Sequence, residues 1–218
     1  REATMKLEKI QIENFRGIER LELDFQDELG RVQDQMPIVG PNTSGKTSIL
    51  DAITLCLGPV TEIRPIRSDL TQTPASLVRR GSIRARVVCE VRFSDEEIAK
   101  TKEVFERSGH PDANKVPTSN RVTVDWQYPD PKGQSRGGWN RYEPDSSHLL
   151  FKGRVVASRN LHVPGVGARS LQQLGGVFMF DQKRTGLAQR LTPEVRALAL
   201  GSEEESSEEG RGNDYTSD

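Results

Sequence analysis

Cysteine, histidine, aromatic residues and long apolar runs are all scarce in this chain. Two cysteines in 218 residues cannot build a disulfide framework. Cys56 and Cys89 each lie in an apolar stretch, where a small thiol reads as core packing in a reducing compartment. The three histidines, His110, His148 and His162, are scattered through turn-rich segments. Their spacing matches no metal-ligand set and no nucleophile–base arrangement. Aromatics are 6% of the chain, apolar residues 33%, and mean hydropathy is −0.64. No apolar run approaches the roughly 20 residues that span a bilayer, and no charged-then-apolar leader opens the sequence. The expectation is a cytoplasmic protein with no membrane partner. Neither an internal repeat nor a sustained heptad pattern is visible.

Excess charge is also missing. Lys and Arg number 31 against 32 Asp and Glu, for a net −1, which argues against a strongly basic nucleic-acid binder. The distribution is uneven. Residues 201–218 carry seven acids against Arg211 alone, so the tail holds −6 and residues 1–200 hold +5. A mildly basic body can meet a polyanion, although most such surfaces are simply solvated.

What is present centres on Val39-Gly40-Pro41-Asn42-Thr43-Ser44-Gly45-Lys46-Thr47-Ser48. It fits the phosphate-binding pattern G-x-x-x-x-G-K-[ST] at every fixed position. Gly40 and Gly45 permit the tight backbone that turns N–H groups toward an anion. Lys46 can reach β- and γ-phosphates as a point charge. Thr47 offers a hydroxyl to Mg²⁺. Asn42, Thr43, Ser44 and Ser48 complete the loop. Met36 to Val39 is apolar and predicts a strand entering it. Ile49, Leu50, Ile53 and Leu57 recur at helical spacing after it, with Gly58-Pro59 as a stop signal. A helix starting there adds its positive end.

Upstream, Leu7, Ile10 and Ile12 alternate with polar residues, with one slip at Glu8-Lys9. Phe15-Arg16-Gly17 is a turn, and Ile18 to Phe25 alternates again, which predicts a hairpin. Residues 59–81 read as a loop with a helical turn; Arg64 and Arg67 there suit phosphates, DNA or surface acids. Ser82 to Phe93 is a long alternating strand. Ser94-Asp95-Glu96-Glu97 is a capping box opening a helix that ends at Ser108-Gly109. Arg121 to Tyr128 is a strand, 129–138 a hairpin-like loop, and Trp139 to Tyr142 its return. Aromatics beside Lys132, Arg136 and Arg141 fit either base stacking or an ordinary β-arm. Leu149 to Phe151 and Arg154 to Ser158 read as short strands. Leu187 to Leu200 reads as helix, with Thr192-Pro193-Glu194 as its start.

The run Gly175-Gly176-Val177-Phe178-Met179-Phe180 ends in Asp181-Gln182. On pattern alone this is a buried strand ending in a polar pair. Residues 201–218 are acidic, low in complexity and unable to fold alone. The domain reading is therefore 1–200 as one P-loop domain and 201–218 as linker or tail.

Lys9-Ile10 through Asn14-Phe15-Arg16-Gly17, the strand after it, and Ile38-Val39 through Asp51-Ala52-Ile53 together resemble one family. It is the N-terminal lobe of ABC-type ATPase heads in the SMC, RecF and OLD superfamily. The likeness is strong over residues 5–58. Thr43 stands where that family usually has glycine. The resemblance implies an α/β P-loop fold with an antiparallel N-terminal subsheet and a core sheet flanked by helices. It implies ATP and Mg²⁺, and adds Arg16 to the nucleotide-binding residues. It offers two roles for the later run. Gln182 is the Q-loop glutamine that contacts Mg²⁺ and the attacking water, or Asp181 closes a Walker B strand and holds the Mg²⁺ shell. The Q-loop is preferred because Walker B strands of this family end in Asp-Glu after a Ser-Gly-Gly signature, and Leu174-Gly175-Gly176 is a degenerate copy. A complementing C-terminal lobe, in the same longer chain or a separate subunit, is then expected, with ATP-driven homodimerisation of heads. DNA and a nuclease or effector are the implied partners, in repair or anti-phage defence. Two other classes stay open: a self-contained small NTPase or nucleotide kinase using Asp181, with Arg184 or Arg190 on a lid, and a nucleotide-dependent interaction module without turnover.

Overall fold

In the computed structural model the described residues are 5–33, 35–42, 44–61, 74–133 and 139–174. They form a mixed α/β lobe built on one antiparallel sheet. The strands are β1 (Lys6–Phe15), β2 (Ile18–Asp24), β3 (Ala85–Arg92), β4 (Arg121–Tyr128) and β5 (Trp139–Glu143). Their order in the sheet is β2-β1-β3-β4-β5. The first two are the expected hairpin, closed by Arg16-Gly17 with Phe15 opposite Ile18. The slip at Glu8-Lys9 is a bulge: the register of β1 against β3 shifts between Leu7 and Lys9. An extra residue there preserves the alternation on either side.

One face of the sheet is apolar because each strand alternates. Leu23, Ile10, Cys89, Val124 and Tyr142 lie in one register row, and Leu21, Ile12, Val87 and Trp126 in the next. Ile10, Ile12, Val87, Cys89 and Val124 have no exposed surface. Burying each such side chain contributes about 1.5–3 kcal/mol. The opposite face is polar and largely paired. Lys9 meets Glu22 at 2.5 Å, and Arg86 forks onto Asp125 at 2.9 and 2.8 Å. The carboxylate of Glu8, at the bulge, lies between Arg92 and Arg121.

Helices cover the apolar face. They are α1 (Lys46–Thr61), α2 (Asp95–Arg107), α3 (His148–Arg159) and α4 (Ala168–Gln173). α1 packs on β1, β3 and β4, and α3 packs on α1, α2 and α4. Ile49, Ala52, Leu55 and Cys56 are the buried stripe of α1. The Cys56 thiol lies 3.4 Å from the Val124 carbonyl, and both cysteines are buried and free. At the start of α2, Ser94 Oγ accepts from the Glu97 N–H at 3.1 Å. The Glu97 carboxylate accepts from Met5 N at 2.9 Å, tying the start of β1 to this helix.

Three expectations need correction. Residues 149–158 form helix α3 rather than two short strands. Leu149, Leu150, Gly153, Val156 and Ala157 are buried, a spacing of one helical face, and the strand reading mistook β-branched content for strand geometry. Met36 to Val39 forms no strand. It finds no neighbouring strand to pair with among the described residues; Met36 and Ile38 pack on the core while Val39 stays 87% exposed. Gly58-Pro59 does not end α1, which continues to Thr61. Pro59 removes only the one bond to the Leu55 carbonyl; the next carbonyl, of Cys56, accepts from Asn140 Nδ2 of β5 at 3.0 Å.

Candidate functional site

The glycine loop sits where the sheet's first hairpin meets the start of α1. Gly45 takes φ +91, a region costly for any side chain but open to glycine. A Cβ added at Gly40 would stand 2.8 Å from Ser44 Oγ, so the loop closes on itself there. Lys46 folds into this curve: Nζ donates to the Gly40 carbonyl at 2.7 Å and the Pro41 carbonyl at 2.6 Å, with Ser44 Oγ at 3.5 Å. The first intrahelical bond of α1 runs from Ile49 N to the Gly45 carbonyl at 3.0 Å. The N–H groups of Gly45 to Ser48 therefore precede the helical ladder, at its positive end. Thr47 is exposed on the first turn. An ammonium held by the loop, a turn too tight for a Cβ at Gly40 and N–H groups at the positive end of a helix suit an anionic phosphate chain with its cation. Lys46, Gly40, Gly45 and Thr47 would hold them.

The hairpin turn flanks this loop. Ile18 Cγ1 lies 3.8 Å from where a Gly45 Cβ would be. Arg16, at φ 51, sends its Nη1 to the Asp51 carboxylate on α1. Its backbone N–H donates to the Leu77 carbonyl at 2.7 Å. Arg79 reinforces the same strap, its N–H on the Asn14 carbonyl at 2.8 Å and its Nη1 on Glu19 at 2.7 Å. The structure thus brings Gly40, Asn42, Ser44, Gly45, Lys46, Thr47, Ser48 and Arg16 to one corner. Thr43, Asp181 and Gln182 lie outside the described residues, as do Arg64, Arg67, Arg136, Arg184, Arg190 and the segment 175–218. Asp51 was missed by pattern reasoning. Its signal is an acid inside a run whose neighbours, Leu50 and Ala52, are apolar.

The other candidates disperse. Trp126 is 3% exposed, with its ring edge-on to Phe15 at 6.4 Å, and Tyr128 and Tyr142 pack on the core. These three aromatics belong to the sheet core, and the side chain of Trp139 lies outside the described residues. His110 packs on Phe105, and its Nδ1 accepts from Asp112 N; His148 bonds the Asp145 carbonyl. Among the described residues no cluster of His, Cys, Asp and Glu has metal-site geometry, and no helix is long and apolar enough to cross a membrane.

A glycine loop on a helix N-terminus beside a β-hairpin defines a P-loop nucleotide-binding lobe. The AAA ATPase domain family matches residues 5–123, more than half of the chain, and the chain belongs to that family. It is 35% identical over 105 residues to the DNA double-strand break repair Rad50 ATPase of Methanopyrus kandleri, covering 47% of this chain. It spans only 10% of that protein's length. Among solved structures, the recombination mediator protein RecF with ATP matches at 19% identity and TM-score 0.43, over 67% of this chain and 30% of RecF. A structure from work on ATP-driven dimerization and DNA-stimulated activation of SMC ATPases matches at 19% identity and TM-score 0.42, over 89% of this chain and 97% of the other. The family match and the Rad50 relative bear out the ATPase-domain reading.

Proposed function

We propose that this chain is the N-terminal lobe of a cytoplasmic ATPase head that binds Mg²⁺–ATP at the Gly40–Ser48 loop. The observation that carries this is the closed loop around Lys46, whose ammonium is held by the Gly40 and Pro41 carbonyls at the N-terminus of α1. ATP bound there supplies the bond to be cleaved, and Mg²⁺ the charge that screens its phosphates. Lys46 and the loop N–H groups neutralise phosphate oxygens, and Thr47 supplies a hydroxyl to the cation. Arg16 adds a second cation from the hairpin. Gln182 would act as the Q-loop residue, orienting water and offering a ligand to the cation; in the alternative, Asp181 ends a Walker B strand and would hold the Mg²⁺ shell. A C-terminal lobe in a longer chain or separate subunit supplies the rest of the site, and two heads close on ATP. The Rad50 relative's printed role makes a DNA-linked task the leading reading, in repair or, as in OLD-type relatives, in anti-phage defence with a nuclease or effector.

The test is Lys46→Ala in the 218-residue chain, read by titration with a fluorescent ATP analogue and Mg²⁺. Losing the ammonium and its charge-assisted bonds should weaken binding by about a hundredfold. Tight binding retained in this variant would overturn the proposal.

A further inference from the structure

We propose that Asp51 is a positioning residue that orients Arg16 toward an anion held at the start of α1. The inference rests on the loop being a nucleotide site and names a residue that acts on it indirectly. Arg16 is held from several sides. Its backbone sits at φ 51 in the hairpin turn, a left-handed conformation that an L-residue keeps only when its surroundings impose it. The Leu77 carbonyl takes its N–H at 2.7 Å. The guanidinium carbon lies 5.8 Å from the centre of the Phe15 ring. Nη1 pairs with Asp51 Oδ2, and the two side chains are 20% and 6% exposed.

The placement matters because of the helix. Asp51 lies five positions after Lys46 on α1, about 7.5 Å along the axis. Ile18, two residues from Arg16, touches the same loop at Gly45. The hairpin turn that carries Arg16 therefore stands on the flank of the phosphate loop, with the guanidinium anchored on the helix that the loop opens. A guanidinium is a planar fork of five donors. A buried carboxylate on one Nη limits where the fork can point, an ordering that a solvated arginine would have to undergo on binding. Asp51 is itself too buried to serve as an exposed ligand, so its effect on an anion runs through Arg16.

The experiment measures Mg²⁺-dependent binding of a fluorescent ATP analogue to the full chain, together with the thermal unfolding midpoint of each variant without nucleotide. Arg16→Ala and Asp51→Asn should each weaken binding about tenfold, and the double variant should bind no worse than Arg16→Ala alone. Unchanged affinity in Asp51→Asn, or losses that multiply in the double variant, would overturn the proposal. So would a lowered midpoint with unaltered affinity, the signature of a scaffold role alone. If Asp51→Asn does not fold, Arg16→Lys decides: it keeps the charge and loses the fork, so the same loss supports the proposal and wild-type affinity overturns it. Lys46→Ala separates the two readings. Binding retained in Lys46→Ala defeats the nucleotide-loop reading itself. Binding lost in Lys46→Ala but kept in Asp51→Asn defeats only the role of Asp51.

Discussion

Replacing Gly45 by alanine separates backbone strain from crowding. A Cβ at Gly45 would meet only Ile18 Cγ1, at 3.8 Å, an ordinary contact. Space therefore does not bar alanine; the φ of +91 does. An L-residue held in left-handed backbone costs roughly 1–2 kcal/mol, and the smaller unfolded-state entropy of alanine offsets about 0.4–1 kcal/mol of that. The net is about 1 kcal/mol, which in a chain of this size lowers the melting midpoint by about 2–4 °C. The loop has a cheaper response. It is held at Gly45 mainly by its own contacts, the Ser44 N–H on the Pro41 carbonyl at 3.3 Å and the Lys46 ammonium on two carbonyls. Swinging φ to a negative value relieves the strain and turns the Gly45–Lys46 peptide away from its anion-facing direction. The expected result is a small change in melting midpoint with at least about a tenfold loss of Mg²⁺–ATP affinity, read by thermal melts and fluorescence titration. Gly40→Ala should behave differently. Its Cβ would strike Ser44 Oγ at 2.8 Å, so removing that hydroxyl in Gly40→Ala/Ser44→Ala should recover most of the affinity. Gly45→Ala binding within twofold of wild type would refute the argument.

Gly153→Ala places a Cβ 2.7 Å from Thr101 Oγ1 and 3.0 Å from Thr101 Cγ2 where α3 crosses α2; the overpacking should cost about 1–3 kcal/mol in urea unfolding. Thr101→Ala should rescue it, because Thr101 Oγ1 is buried without a hydrogen-bond partner, and failure to rescue would locate the cost elsewhere. Gln182→Ala in the complete enzyme should lower turnover more than ATP affinity; unchanged turnover would rule out the Q-loop role.

The hairpin, the alternating β3 and β4, the capped α2 and the glycine loop are all legible in the sequence, because each is specified by contacts within a few residues. Ser94 caps Glu97 three positions on, and Arg16-Gly17 closes a hairpin whose two strands alternate on either side. Even the bulge was written as a break in alternation at Glu8-Lys9. The misreadings fell where distant segments decide. Leu149 to Ser158 carries valines that suit a strand, and it is helical because its face packs on α1, α2 and α4. Met36 to Val39 has strand composition, yet a strand exists only with a neighbour to accept its backbone bonds. Its composition says nothing about whether one is there.

The amino-acid sequence alone determined the chemistry of the loop: which residues bend, which carry charge and which offers a hydroxyl. These are properties of residue type and local spacing. Only the tertiary structure decided that the hairpin turn belongs to that loop. Arg16 and Asp51 are 35 positions apart, and Arg16 and Leu77 are further still. No local pattern connects them; the sheet order and the packing of α1 across it bring them together.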